Sequence, residues 1–339
     1  MLVTGGASFI GSHLVDALIG RGAQVRVVDD LSSGTLANLA AHKENERLEF
    51  VRADLREPAV ARSAVRDTEV VFHLAGDHGG RGYVDLRQAA TAGNFLVDGL
   101  VFREALRAGV ERIVYASSGC VYPNHLQRDP GQELYLTEDL VRPPYDADNL
   151  YGYAKLMGEL TLRAYVAEHG IKAASCRYFT VYGPRAKENH AVLAMIARAV
   201  ARQDPFELWG TGEQIRNWTY VEDIVAGTIL AAERVDDGTA INLGTMERIR
   251  VLDAAQMILR LVGHRPEIIL RPEMPTGPLN RVADNQLAGE LLGWKPAVSF
   301  REGVERTVQW YQATKTRGDA TRILASGGLI ERQVDRNTD

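Results

Sequence analysis

The segment Gly5-Gly6-Ala7-Ser8-Phe9-Ile10-Gly11 constrains the fold of this chain more than any other. It follows a short apolar run, Leu2-Val3. It opens residues 9–20, where Phe9, Ile10, Leu14, Ala17 and Leu18 recur at helical spacing. Glycines spaced G-G-x-x-x-x-G at such a strand-to-helix turn are a variant of the dinucleotide fingerprint. Glycine lets the backbone approach a pyrophosphate, and the helix start offers N–H donors and a positive dipole end. A tight turn with no ligand is the plainer explanation of the glycines alone. Context favours the ligand: Val25-Arg26-Val27-Val28 is strand-like and ends at Asp29, 18 residues after Gly11. A carboxylate there can accept from both ribose hydroxyls and repels a 2′-phosphate, so NAD is expected rather than NADP. Asp54 and Leu55, after a third strand-like run, are placed to flank the adenine.

The alternation continues. Val70–Leu74, Arg112–Ala116 and Ala173–Tyr178 are apolar strand-like runs, separated by helical stretches at 94–108 and 150–169. Short apolar strands alternating with helices indicate βαβ units, hence an α/β fold with a doubly wound parallel sheet. Beyond residue 180 the pattern loosens. A helix is expected at 190–203, a turn-rich segment at Leu208–Gly212, and a last helix at 301–314. We expect a cofactor domain over residues 1–178 with a return segment near 215–245. A smaller C-terminal substrate-binding lobe would take 179–214 and 246–314, leaving a weakly structured tail at 315–339. The net charge of −5 argues against a nucleic-acid partner. No run approaches ~18 apolar residues, so no membrane span is expected. Two cysteines, Cys120 and Cys176, and no basic leader after Met1 suggest a reducing compartment, the cytoplasm. No metal site is assigned.

Tyr151-Gly152-Tyr153-Ala154-Lys155 puts Tyr151 and Lys155 four apart, on one face of a helix. An ammonium beside a phenol favours the phenolate, which can take an alcohol proton while hydride leaves the carbon. Ser118, at the end of the preceding strand, can hydrogen-bond the same alcohol. Such pairs are often plain surface residues, yet Lys155 is one of only 6 lysines against 33 arginines. Thr4–Gly11, Asp29, Leu74-Ala75, Ser117-Ser118, Tyr151-x-x-x-Lys155 and Tyr178–Pro184 together resemble the extended short-chain dehydrogenases/reductases. More narrowly, they resemble the nucleotide-sugar epimerases and dehydratases. The resemblance spans about residues 1–314. It implies a Rossmann domain and a bound NAD contacted by Gly5, Ser8, Phe9, Ile10, Gly11, Asp29, Asp54, Leu55, Leu74, Ala75, Tyr151 and Lys155. It also implies a lobe that grips a nucleotide-diphosphate sugar, and a homodimer through helices near 94–108 and 150–169.

Within that family, the segment Ser117–Pro123 carries Cys120 where simple 4-epimerases have Thr or Ser. It lacks the acidic pair of 4,6-dehydratases. With the glycine-rich loop Gly76–Gly82, it is similar to the GDP-mannose 3,5-epimerases. The pair Cys120 and His190 is similar to the acid/base pair of the GDP-fucose synthases. The mannose enzymes place a lysine at the position of His190. The resemblance thus implies epimerisation at carbon 3 and/or carbon 5 through a transient 4-keto sugar. Tyr151 would be the redox base, and Cys120 and His190 would exchange carbon-bound protons near pH 7. Gly79, Gly80, Thr180, Arg216, Arg281 and Asp284 fall on substrate positions, with Thr180 replacing the usual Asn. The plainer alternatives are a buried structural thiol for Cys120 and solvated side chains for His190 and the arginines. Two other functions stay open: a 4-epimerase of the UDP-glucose or UDP-glucuronate type, and an NAD-binding regulatory protein without turnover.

Overall fold

In a computed structural model, residues 1–326 are described. The centre is a seven-stranded sheet in which every pair is parallel. Its strands are β1 (Leu2–Thr4), β2 (Val25–Asp29), β3 (Leu48–Arg52), β4 (Val70–His73), β5 (Arg112–Ser118), β6 (Lys172–Tyr178) and β7 (Asp237–Leu243), in spatial order β7-β6-β5-β4-β1-β2-β3. The order reverses between β1 and β4, so the crevice beyond their C-terminal ends is where a doubly wound sheet takes a ligand. Both faces are covered, which explains the near-continuous apolar runs. On β5, Val114 packs with one helix layer, while Ile113 and Tyr115 pack with the other. The first layer holds α1 (Phe9–Gly20); the second holds α2 (Asn94–Arg107) and α3 (Asn149–His169).

After β6 the chain enters a lobe with its own core of Val192, Ile196, Phe206, Trp218, Ile258 and Phe300. There α4 (Ala191–Val200) begins directly after His190. The chain returns to the sheet with α5 (Val221–Arg234) and β7, then goes back to the lobe. The expected turn-rich segment at Leu208–Gly212 is in part a strand, Phe206–Trp209, paired in parallel with Ile268–Arg271. The chain turns only at Gly210 and Gly212, both at positive φ.

The helix Phe300–Thr314 is not the last one. Arg317–Ala325 forms a further helix where a weakly structured tail was expected. Thr316 and Asp319 close a capping box at its start, and Ala320 is buried against the lobe core. The rest of that tail, 327–339, lies outside the described residues. No helix among the described residues is long and apolar enough to cross a membrane.

Candidate active site

At the β1–α1 turn, the Ser8 hydroxyl donates to the Gly5 carbonyl at 2.6 Å. A Cβ on Gly11 would stand 2.2 Å from that same carbonyl oxygen, so only glycine lets α1 start so close to the strand. No side chain caps the helix, which leaves its first-turn N–H groups to an anion. Asp29 is buried and braces the turn: its carboxylate accepts from the N–H of Ala7 at 3.0 Å and of Leu31 at 2.8 Å. Gly5, Ser8, Asp29, Asp54, Leu55, Leu74 and Ala75 line the groove above. Phe9, Ile10 and Gly11 are not on its wall; they form the first turn of α1 beneath it. Arg56 grips Asp54 with three hydrogen bonds of 2.6–2.9 Å and holds its carboxyl below the usual range. A glycine cradle, a bare helix start and a carboxylate at the end of β2 fit a dinucleotide.

Tyr151 and Lys155 sit one turn apart on α3, facing the end of β5. Ser118 accepts from the Cys120 N–H at 3.1 Å and hydrogen-bonds to the Tyr151 phenol. The expected depression of the phenol pKa is not found. Burial pushes Tyr151 up, with Cys120 adding to the effect and Ser118 opposing it. Burial also pushes Lys155 down, with Asp98 opposing. The reason is the burial of both groups. The Lys155 ammonium lies 4.7 Å from the ring centroid of Tyr115, and 6.0 Å from that of Tyr151.

Farther along the cleft, Arg216 and Arg281 are register partners on two adjacent parallel strands, Ile215–Arg216 and Asn280–Arg281. Arg281 donates to Gln127 Oε1 at 2.7 Å, to Asp148 Oδ2 at 3.0 Å and to the Cys120 Sγ at 3.2 Å. Asp148 also accepts from Arg81 at 2.7 Å. Burial alone would raise the Asp148 carboxyl, but the two guanidinium groups outweigh it and hold it down. Burial, together with the charges of Arg281 and Arg81, disfavours the Arg216 cation. An anionic ligand relieves both penalties.

His190 directly precedes α4, its ring 5.9 Å from that of His78. Burial and Lys187 push its pKa down to about 4, well below the value near 6.5 expected from sequence. It is therefore neutral at pH 7. A Cβ on Gly80 would stand 1.7 Å from the Asn189 carbonyl oxygen, so the glycine loop presses on the segment that carries His190.

Asp284 lies outside this cluster. Its carboxylate accepts from the Gln286 N–H at 2.8 Å, at the start of the helix Gln286–Leu292. Thr180 contributes its carbonyl to the Thr219 N–H at 2.9 Å, a lobe contact. Cys176 is buried in the sheet core, and burial pushes its thiol up to about 12. Sequence reasoning missed Arg81, Asp148 and Asn189; the Asn189 side-chain carbonyl is buried with no hydrogen-bond partner. Asp148 was findable as the residue preceding the Tyr151 helix, and Arg81 as the one cation inside the glycine loop.

The NAD dependent epimerase/dehydratase family matches residues 1–244. GDP-mannose 3,5-epimerase 1 of Oryza sativa subsp. indica is 30% identical over 348 residues, 98% of this chain and 88% of that protein. The structure of UDP-glucose 4-epimerase from Thermotoga maritima with UDP-glucose superposes with a TM-score of 0.82 at 29% identity, covering 92% of this chain and 98% of that one. UDP-glucuronic acid 4-epimerase from Bacillus cereus, with UDP-glucuronic acid and NAD, gives 0.82 at 27% identity, covering 93% and 99%.

Proposed function

Since the chain belongs to the NAD-dependent epimerase/dehydratase family, we propose that it epimerises a nucleotide-diphosphate sugar at carbon 3 and/or carbon 5 through a transient 4-keto sugar. NAD, when bound, accepts the hydride of carbon 4 and gives it back. Tyr151 is the group placed to take the proton of the 4-hydroxyl, once the positive charge of a bound cofactor offsets the burial that holds its phenol protonated, and to return it at the end; Ser118 would fix the alcohol oxygen. The ketone acidifies the neighbouring C–H bonds. Inversion then needs one group to remove a proton from one face of the ring and another to deliver one to the other. Neutral His190 is suited to the removal and the Cys120 thiol to the delivery. The Arg281 guanidinium at 3.2 Å steadies the sulfur once its proton has left. Arg216 and Arg281 are the proposed diphosphate clamp.

The observation that carries this reading is that one glycine loop is linked to both members of the pair. Arg81 of the loop reaches Cys120 through Asp148 and Arg281, and Gly80 touches the residue before His190. Incubation with GDP-mannose in D₂O tests it: deuterium is expected at carbon 3 or carbon 5, and neither exchange nor inversion there would sink it. A 4-epimerase is the second reading, favoured by the likeness to UDP-sugar 4-epimerase structures. It predicts UDP-glucose or UDP-glucuronate turnover with no carbon-bound deuterium. NAD binding without an NADH transient on any nucleotide-sugar would instead favour a regulatory protein.

We also propose a homodimer through the exposed apolar residues Phe95 and Leu96 of α2 and Tyr153 and Met157 of α3. Light scattering on the chromatographed protein, with Met157→Glu as the disrupting variant, checks it.

A further inference from the structure

Behind the Tyr151–Lys155 pair lies a buried polar chain with no part in the mechanism above. Thr4 Oγ1 accepts from the N–H groups of Leu74 and Ala75, each at 3.0 Å. Its own proton therefore points to its third partner, His73 Nδ1, at 2.8 Å. That fixes the tautomer: His73 is neutral, with the proton on Nε2, which donates to Asp98 Oδ1 at 3.0 Å. The other oxygen, Oδ2, accepts from the Tyr115 hydroxyl at 2.6 Å. Asp98 is 3% exposed, so a buried carboxylate is held by two neutral donors.

A buried anion needs a counter-charge. Lys155 is 4% exposed, and among the described residues no carboxylate lies within ion-pair distance of its ammonium. Instead the ammonium rests over the ring of Tyr115, whose hydroxyl is the one that binds Asp98. A phenol that donates to a carboxylate has a more electron-rich ring, which holds a cation more firmly. The helix is shaped for this contact: a Cβ on Gly158 would stand 2.4 Å from the Tyr115 hydroxyl oxygen, so α3 gives up a side chain to admit it.

We propose that Asp98 is the counter-ion of Lys155, coupled to it through the Tyr115 ring, and thereby a positioning residue for the Tyr151–Lys155 pair. The titratable and charged groups that face Lys155 are Tyr151 on its own helix, Tyr115 on β5 and Asp98 on α2, with neutral His73 of β4 behind Asp98. Glu159 on α3 is already neutralised by Arg177 through two hydrogen bonds of 2.8 and 3.0 Å, and Cys120 faces Tyr151. A negative charge at Asp98 keeps Lys155 protonated against the effect of its burial. The same chain starts at the glycine turn, so it ties the floor of the cofactor groove to the catalytic helix.

The inference rests on the proposed role of Tyr151, whose helix carries Lys155, but its test reads Lys155 alone. The full-length protein is labelled with ¹³C at lysine Cε and titrated by NMR. Only six lysines contribute, and the Lys155 signal is assigned by its loss in Lys155→Gln. In Asp98→Asn the Lys155 signal is expected to titrate at lower pH than in the parent protein, and Asp98→Glu is expected to restore it in part. Tyr115→Phe, which keeps the ring and removes only the hydroxyl link, is expected to move it in the same direction. It decides the question if Asp98→Asn does not fold. A Lys155 titration unchanged in the folded variants would overturn the proposal, whatever becomes of the sugar chemistry.

Discussion

At the Gly5–Gly11 turn, the groups offered to a ligand are backbone N–H donors, set by residues a few positions apart. At the lobe end of the cleft they are guanidinium groups, brought together from distant places: Arg81 and Asp148 are 67 residues apart, Arg281 and Asp148 133. The first half of the site is shaped by what side chains leave out. The second is shaped by charges that restrain one another until a ligand arrives. Binding of cofactor and of sugar nucleotide should therefore fail separately.

The largest effect expected is that of Tyr151→Phe, which spares both halves and removes only the proton carrier between them. Turnover should drop by about a hundred- to ten-thousand-fold, while NAD and nucleotide-sugar affinities stay near the parent values. Gly11→Ala comes next. Its methyl meets a backbone oxygen that cannot move aside, so unfolding in urea should show a loss of about 3 kcal/mol, at the upper end for overpacking, with weakened NAD binding. Arg281→Ala strikes the other half: nucleotide-sugar binding should weaken about tenfold to a hundredfold, measured by calorimetry, with NAD binding intact. Equal loss of both ligands in either of these variants would dissolve the distinction.

The effect least visible at neutral pH concerns acid stability. His190 has its pKa pushed down to about 4 from an ordinary 6.5, so between those values the unfolded chain binds more protons than the folded one. Stability is thus fully present above pH 6.5 and lost as pH falls toward 4. His190→Gln should flatten that part of the stability profile, leaving the remainder to His13, which burial also pushes down.

The same contrast explains what could be seen in the sequence. The parallel sheet, α1, and the glycine turn with Asp29 at the end of β2 were legible because each is written in a local pattern of apolar spacing, glycine and a terminal carboxylate. Tyr151 and Lys155 were legible as a spacing on one helix. Their ionisation was not, because burial and the ring of Tyr115 come from another strand. Asp284 falls on a substrate position by resemblance alone, and sequence does not show that one of its carboxylate oxygens accepts from the Gln286 N–H. Arg81 and Asp148 were invisible as a pair because nothing local joins a loop to a helix 67 residues later. The helix Arg317–Ala325 was missed although Thr316 and Asp319 spell its cap; Gly318 and scattered charges disguised it.

The course of the chain between sheet and lobe has a mechanical consequence. It leaves the sheet after β6, returns with α5 and β7, leaves again, and returns with the helix Gln286–Leu292. Beyond that helix, Trp294 donates to the Asp223 carbonyl, and the Asp223 carboxylate accepts the N–H groups of Ala297 and Val298. A body laced to its neighbour at so many points does not swing like a clamshell. The glycine loop adds one more point of contact, where Gly80 meets the Asn189 carbonyl. That junction has no room for even one more methyl group, so a side chain at Gly80 would have to push the loop and the lobe apart.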